Sequence, residues 1–235
     1  MRTGVIHGCE MSLGRDQASV DEAASEIEYY MQNLPLVGRV SAALLALISC
    51  IVICLLCLAA YYMDPISYVD AIWEGFRQMA VIGAALLAIT LFTVAITGRL
   101  SKANHVILAS HLTALVMMSL IYHFYYANQG GFFFTEIIGY QLIHTLLVLL
   151  LFLWWAAFAS VRALEYWDIP ALGLWPAIYL AYLMWRGSLD GGYIYPFLDP
   201  TLLGREVVAL VMIATVLGYC VVAGFIVLLT RFLAR

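Results

Sequence analysis

The stretch Ala42-Ala43-Leu44-Leu45-Ala46-Leu47-Ile48-Ser49-Cys50-Ile51-Val52-Ile53-Cys54-Leu55-Leu56-Cys57-Leu58-Ala59-Ala60 decides the solvent in which this chain folds. It carries no charge, and the uncharged run around it extends from Val40 to Met63. At about 1.5 Å of rise per residue, some 20 such residues cross the hydrocarbon core of a bilayer as one helix. A helix that is apolar on every side has no place at a watery surface. The rest of the chain repeats the pattern. Of 235 residues, 65% are hydrophobic and 11% charged, and the mean hydropathy is +0.95. Soluble domains carry about a quarter charged residues, so lipid is the solvent for most of this protein. The expected architecture is an all-α integral membrane protein with six transmembrane helices, at Leu36–Tyr62, Phe76–Thr97, Asn104–Tyr126, Ile137–Val161, Ile169–Arg186 and Glu206–Phe232.

Residues 1–35 differ in kind. They hold two Arg against six Asp or Glu, which accounts for the whole formal charge of −4. They are read as a short acidic cytoplasmic tail, partly disordered or with a docking helix over residues 20–30, ahead of a six-helix domain at 36–235. The tail has no basic start followed by an apolar core, so it is not read as a signal peptide. With the N-terminus inside, eight basic residues (Arg2, Arg15, Arg39, Arg99, Lys102, Arg162, Arg231, Arg235) face the cytoplasm. Only Arg77, Arg186 and Arg205 face out. The asymmetry predicts both termini cytoplasmic, in a plasma or bacterial inner membrane. Cys50, Cys54 and Cys57 lie on one face of the first span and read as small, polarizable packing residues rather than as metal ligands.

The chemistry concentrates in the outer half of the membrane. In Tyr140-Gln141-Leu142-Ile143-His144-Thr145, His144 stands about 10 Å inside the fourth span. An ionisable group at that depth is costly unless it is paired or lines a cavity. The third span runs outward and ends on Tyr122-His123, so His123 and His144 fall at comparable depth on neighbouring antiparallel helices. In the fifth span Trp175, Tyr179, Tyr182 and Arg186 follow i, i+4, i+7, i+11 and share one face. Such a stripe can be packing, or it can line a tunnel for an acyl chain with Arg186 meeting a carboxylate. The loop 187–205 is rich in Gly and Pro, yet it carries Tyr193, Ile194, Tyr195 and Phe197, which suits a lid packed down on the bundle. Asp199 within it would either orient a histidine or end the loop as a helix cap.

Trp175-Pro176-Ala177-Ile178-Tyr179-Leu180-Ala181-Tyr182, then Arg186-Gly187 and Tyr193-Ile194-Tyr195-Pro196-Phe197-Leu198-Asp199, resemble a bacterial branch of the androgen-induced-gene membrane protein family. Tyr122-His123 and Leu142-Ile143-His144 fit the same pattern, and the resemblance covers about residues 40–235. It implies a six-span helical bundle. Animal members of the family hydrolyse fatty-acid esters of hydroxy fatty acids with a threonine nucleophile and a histidine. The histidine maps onto His144. At the threonine's position this chain has Ala80, and Gly83 and Ala84 replace a Ser-Asn pair.

An alanine methyl attacks no ester. The first expectation is therefore a hydrolase-like scaffold without its nucleophile, serving as a lipid-binding or accessory subunit of a membrane complex. His123, Trp175, Tyr179, Tyr182, Arg186 and Tyr195 would line its lipid site. The alternative is an active intramembrane lipid-ester hydrolase or acyltransferase, with His144 as base and Asp199 orienting it. A third reading makes His123 and His144 ligands of a haem or pigment; otherwise no cofactor or metal is expected. The expected partners are membrane lipids and other integral membrane subunits, not nucleic acid.

Overall fold

The computed structural model describes residues 32–63, 67–126, 134–159 and 164–233. The acidic segment before Gln32, including the docking helix expected at residues 20–30, lies outside the described residues. So do Asp64 and Arg162.

The described chain is all-α apart from one two-residue strand pair. Helices α1 (Leu36–Met63), α2 (Tyr68–Gly75), α3 (Met79–Thr97) and α4 (Lys102–Ile121) come first. Then follow α5 (Phe134–Gln141), α6 (Leu147–Trp154), α7 (Ile169–Asp190), α8 (Pro200–Leu203) and α9 (Arg205–Leu233). Three π-helical turns interrupt the regular spacing. Tyr122–Tyr126 prolongs α4, Leu142–Leu146 joins α5 to α6, and Trp155–Ala159 follows α6.

Five helical segments are long and apolar enough to cross a membrane: Leu36–Tyr62, Met79–Thr97, Lys102–Tyr125, Ile138–Ala159 and Arg205–Leu233. Their outer faces expose Leu47, Ile51, Phe92, Leu153, Leu217 and Phe225. That distribution is stable only where the surroundings are themselves hydrocarbon. Helix α7, matching the expected Ile169–Arg186 span, is not one of the five. Its 22 residues reach about 33 Å, but its aromatic and Arg stripe lowers its apolar content.

Two differences from expectation lie at the end of the bundle where α1 gives way to α3. The second span begins at Met79 rather than Phe76, and the expected turn at 63–75 contains helix α2. The cause is local. Ser67 accepts the Asp70 amide and donates to the Asp70 carboxylate at 2.7 Å, which starts α2. The chain then turns through Phe76–Gln78, with the Arg77 and Gln78 amides bonded to the Glu74 and Gly75 carbonyls.

At the opposite end, Gln32–Asn33 pairs antiparallel with Arg99–Leu100. Gly98 makes this closure, since it takes φ +64° to end α3. A Cβ there would also stand 3.0 Å from the Arg39 Nε. That guanidinium donates to the Ala95 and Ile96 carbonyls, at 3.0 and 3.2 Å, and so ties α1 to the open end of α3.

The interior divides into two clusters. An aliphatic one, with Leu87, Leu91, Leu108, Leu112, Leu151 and Trp155, joins α1, α3, α4 and α6. A second, more aromatic one, with Met79, Met118, Tyr179, Leu198 and Tyr219, joins α3, α4, α7, α9 and the segment before α8.

Candidate functional site

Between the two clusters lies a half-enclosed chamber of about 170 Å³. Its walls are Gln78 and Ala80 at the start of α3, Met118, Ile121 and Tyr122 from α4 and its π turn, Tyr140 and His144 across the α5–α6 junction, and Ile194 and Tyr195 from the loop. Three of the residues singled out in the sequence therefore meet there: Ala80, His144 and Tyr195.

His144 is held firmly. Its ring stacks on Tyr122 with centroids 4.6 Å apart and planes 12° from parallel, and the Tyr140 ring lies 6.2 Å away with planes 26° apart. The π turn at Leu142–Leu146 spreads the backbone, and the His144 carbonyl accepts the Ser119 hydroxyl of α4 at 2.5 Å. Insertions of this kind recur at functional positions because they re-aim one side chain without breaking the helix. The ring's Nδ1 is buried and has no hydrogen-bond partner.

His123 is brought close to this cluster but not into the chamber. Its Nε2 lies 3.0 Å from the Thr145 hydroxyl, which donates to the Gln141 side chain at 2.9 Å. Tyr122 packs against both imidazoles, at 5.1 Å from His123 and 4.6 Å from His144. Among the described residues, no group of three or more His, Cys, Asp or Glu side chains is arranged to hold a metal ion.

The stripe on α7 fastens the end of the bundle that carries α2. Tyr179 donates to the Arg77 carbonyl at 2.6 Å, and Tyr182 donates to the Phe76 carbonyl at 3.3 Å. Arg186, 2% exposed, donates to the Trp73 carbonyl and the Tyr182 hydroxyl and lies 3.9 Å over the Trp73 ring. Its remaining nitrogens stand 3.7 Å from Glu74 and 3.8 Å from Asp190. Arg77 bridges the same two acids at 3.1 and 3.2 Å and donates to the Gly192 carbonyl. Two guanidinium groups and two carboxylates thus balance in one knot that joins α2, α7 and the loop. Trp175 packs on Tyr179 at 6.1 Å, with its Nε1 buried and without a partner.

The loop folds onto the chamber through Tyr195, whose ring also stacks on Phe197 at 5.3 Å. Burial pushes the Tyr195 phenol above its ordinary pKa, so it stays a neutral hydroxyl. A second, smaller space of about 30 Å³ lies behind it, lined by Met79, Tyr179, Phe197 and Tyr219 among others. Asp199 points elsewhere: its carboxylate accepts the Thr201 amide at 2.7 Å and the Thr201 hydroxyl at 2.6 Å, capping α8. The Thr201 hydroxyl holds Asp199 below the usual carboxylate pKa.

Gln78, Tyr122 and Tyr140 were not expected as walls, because they come from three separate segments and share no spacing. Glu74 and Asp190 were visible only as loop acids; the Ser67-x-x-Asp70 cap that starts α2, and so positions Glu74, was the available signal.

No protein-family model matches the chain, and searches of curated proteins and of solved structures returned no match.

Proposed function

We propose that the protein is a six-span membrane protein that binds a lipid in the outer-half chamber and serves as a lipid-binding or accessory subunit of a membrane assembly. The observation that carries this reading is the composition of the chamber wall. Among the described residues it holds an imidazole, three phenols and an amide beside apolar side chains, and no Ser, Thr or Cys. A few polar groups in a mostly apolar hollow orient a ligand. Covalent ester hydrolysis needs a nucleophile beside its base as well.

Several features support the six-span arrangement. Helix α7 is long enough to cross, packs against α4 and α9, and turns its polar stripe into the bundle. Two of the three basic residues assigned to the outer side, Arg77 and Arg186, are neutralised by Glu74 and Asp190. The positive-inside rule counts Arg and Lys themselves, and their division of eight to three is what supports both termini being cytoplasmic. The resemblance to the androgen-induced-gene family is consistent with the same picture, with Ala80 and His144 on one chamber.

A weak hydrolase is the second reading, favoured by the place of His144 in the chamber wall. A general base acting on water supplies roughly 10² to 10⁴-fold by itself. Hydrolysis of long-chain acyl esters by the purified protein in lipid, beside His144→Ala, separates the two. Absence of turnover above the variant is expected; turnover abolished by the substitution would make this an enzyme.

A further inference from the structure

The end of the bundle that carries the strand pair holds positive charge that its own elements do not answer. Arg99 and Lys102 are both exposed there, on either side of Leu100 and Ser101. Arg99 lines an open hollow of about 550 Å³ with Thr97, Ser101 and Asn104. The Thr97 hydroxyl and the Asn104 amide reach the Arg99 carbonyl, each at 3.5 Å. The Arg99 guanidinium, by contrast, meets no hydrogen-bond or ion-pair partner among the described residues. Arg39 is already committed to the last carbonyls of α3. Helices α1, α3 and α4 and the strand pair contain no Asp or Glu.

The missing acids stand earlier in the same chain. Residues 16–28 hold Asp16, Asp21, Glu22, Glu26 and Glu28, and no Lys or Arg. The described chain starts at Gln32, where it is already fixed to this end of the bundle. Gln32 pairs with Leu100 and Asn33 with Arg99, and the Leu34 amide donates to the Gly98 carbonyl at 2.9 Å. The Gln32 side chain also donates to the Phe158 carbonyl at 3.0 Å, so the anchor is held from two sides. At roughly 3.4 Å per extended residue, Glu28 can reach about 14 Å from Gln32 and Glu26 about 20 Å. Arg99 and Lys102 flank the anchor well inside that range. One exposed ion pair contributes little by itself. A segment a few residues from its anchor, however, has an effective concentration of the order of mM, so contacts too weak to hold a separate peptide can hold a tethered one.

We infer that the acidic segment 16–28 docks on its own chain, with Glu26 and Glu28 against Arg99 and Lys102 at the hollow beside the strand pair. The contact is independent of what occupies the chamber. It neutralises the basic end of the bundle and covers the place where the phosphate of an anionic lipid headgroup would otherwise sit. Because the groups involved are exposed, the contact is screened by salt.

The test is photocrosslinking of the full chain, with benzoylphenylalanine in place of Ile27, in nanodiscs of phosphatidylcholine, whose headgroups carry no net charge. Mass spectrometry should find crosslinks from position 27 to residues 97–104 of the same chain. Raising the salt to about 1 M, where the Debye length shrinks to about 3 Å, should lower their yield several-fold. Arg99→Glu should lower it about fivefold at low salt, and adding Glu28→Arg to that variant should recover most of the loss. If Arg99→Glu does not fold, the salt dependence with Arg99 intact decides alone. Crosslinks between two copies, seen as a doubled mass, overturn docking within one chain. Crosslinks to lipid alone, or a yield indifferent to salt and to Arg99→Glu, overturn it as well and leave the hollow to another occupant.

Discussion

His111 and His144 are the same side chain at almost the same burial, 6% and 5% exposed, in neighbouring helices. Each has an Nδ1 without a partner. His111 sits among Leu108, Leu112 and Leu115 of the aliphatic cluster, with its Nε2 3.3 Å from the Thr90 hydroxyl. Regular α-helix surrounds it, and it lines none of the described cavities. His144 sits on a π turn, stacks on Tyr122 and faces open space. Depth in the membrane is thus a poor criterion of function by itself. An imidazole becomes a candidate site where packing leaves room for something to meet it.

That contrast can be broken from either side. The largest effect should come from the aliphatic region: Trp155→Ala removes a fully buried ring and should cost about 3–5 kcal/mol of stability, read by unfolding in mixed micelles. Lipid binding by the fraction that remains folded should be unchanged. Next, Arg186→Gln takes charged hydrogen bonds from the knot that joins α2, α7 and the loop, and should cost about 1.5–3 kcal/mol. Because the knot anchors the loop over the chamber, this change should also weaken lipid binding. If it does not, the loop is no lid.

Thr90→Val tests His111 directly. It strands the ring's Nε2 and should cost about 1–3 kcal/mol, whereas the double variant with His111→Leu should return close to the starting stability. Neither should alter ligand binding, and a loss of binding would erase the distinction between the two histidines. The smallest effect concerns Asp199. Its carboxyl pKa is lowered by the Thr201 hydroxyl, so the cap on α8 is in place above the ordinary value of 3.8 and is lost as pH falls through the lower folded value. A pH titration of the Thr201 amide resonance should have its midpoint below 3.8, and Asp199→Asn should abolish that transition.

Much of the architecture could be read from the chain because lipid imposes a simple rule. Uncharged stretches such as Val40–Met63 must be helical if they are to cross at all. The rule is weakest at α7, expected at Ile169–Arg186, where Tyr179, Tyr182 and Arg186 lower the apolar content while serving the interior. It is blind to α2, which rests on a Ser67–Asp70 cap between two spans. Of the site, His144 could be found from its depth and Tyr195 from an aromatic loop that had to pack somewhere. Ala80 came only through the family resemblance. Gln78, Tyr122 and Tyr140 could not be found, since what unites them is the meeting of three segments in space. The partners of Arg186 were hidden for the same reason.

The π turn at Leu142–Leu146 has a consequence for how this span can change over time. Such a turn behaves as one residue inserted into a regular helix, and each residue of an α-helix accounts for about 100° of rotation. Deleting any single residue within it would restore regular spacing and swing everything on its Phe134 side around the axis, carrying Tyr140 off the wall it shares with His144. Point substitutions here are therefore milder than a one-codon deletion. A related chain that has lost the insertion would keep its hydropathy profile intact while presenting a different residue to the hollow, and a gap-free alignment of the two would match the wrong positions.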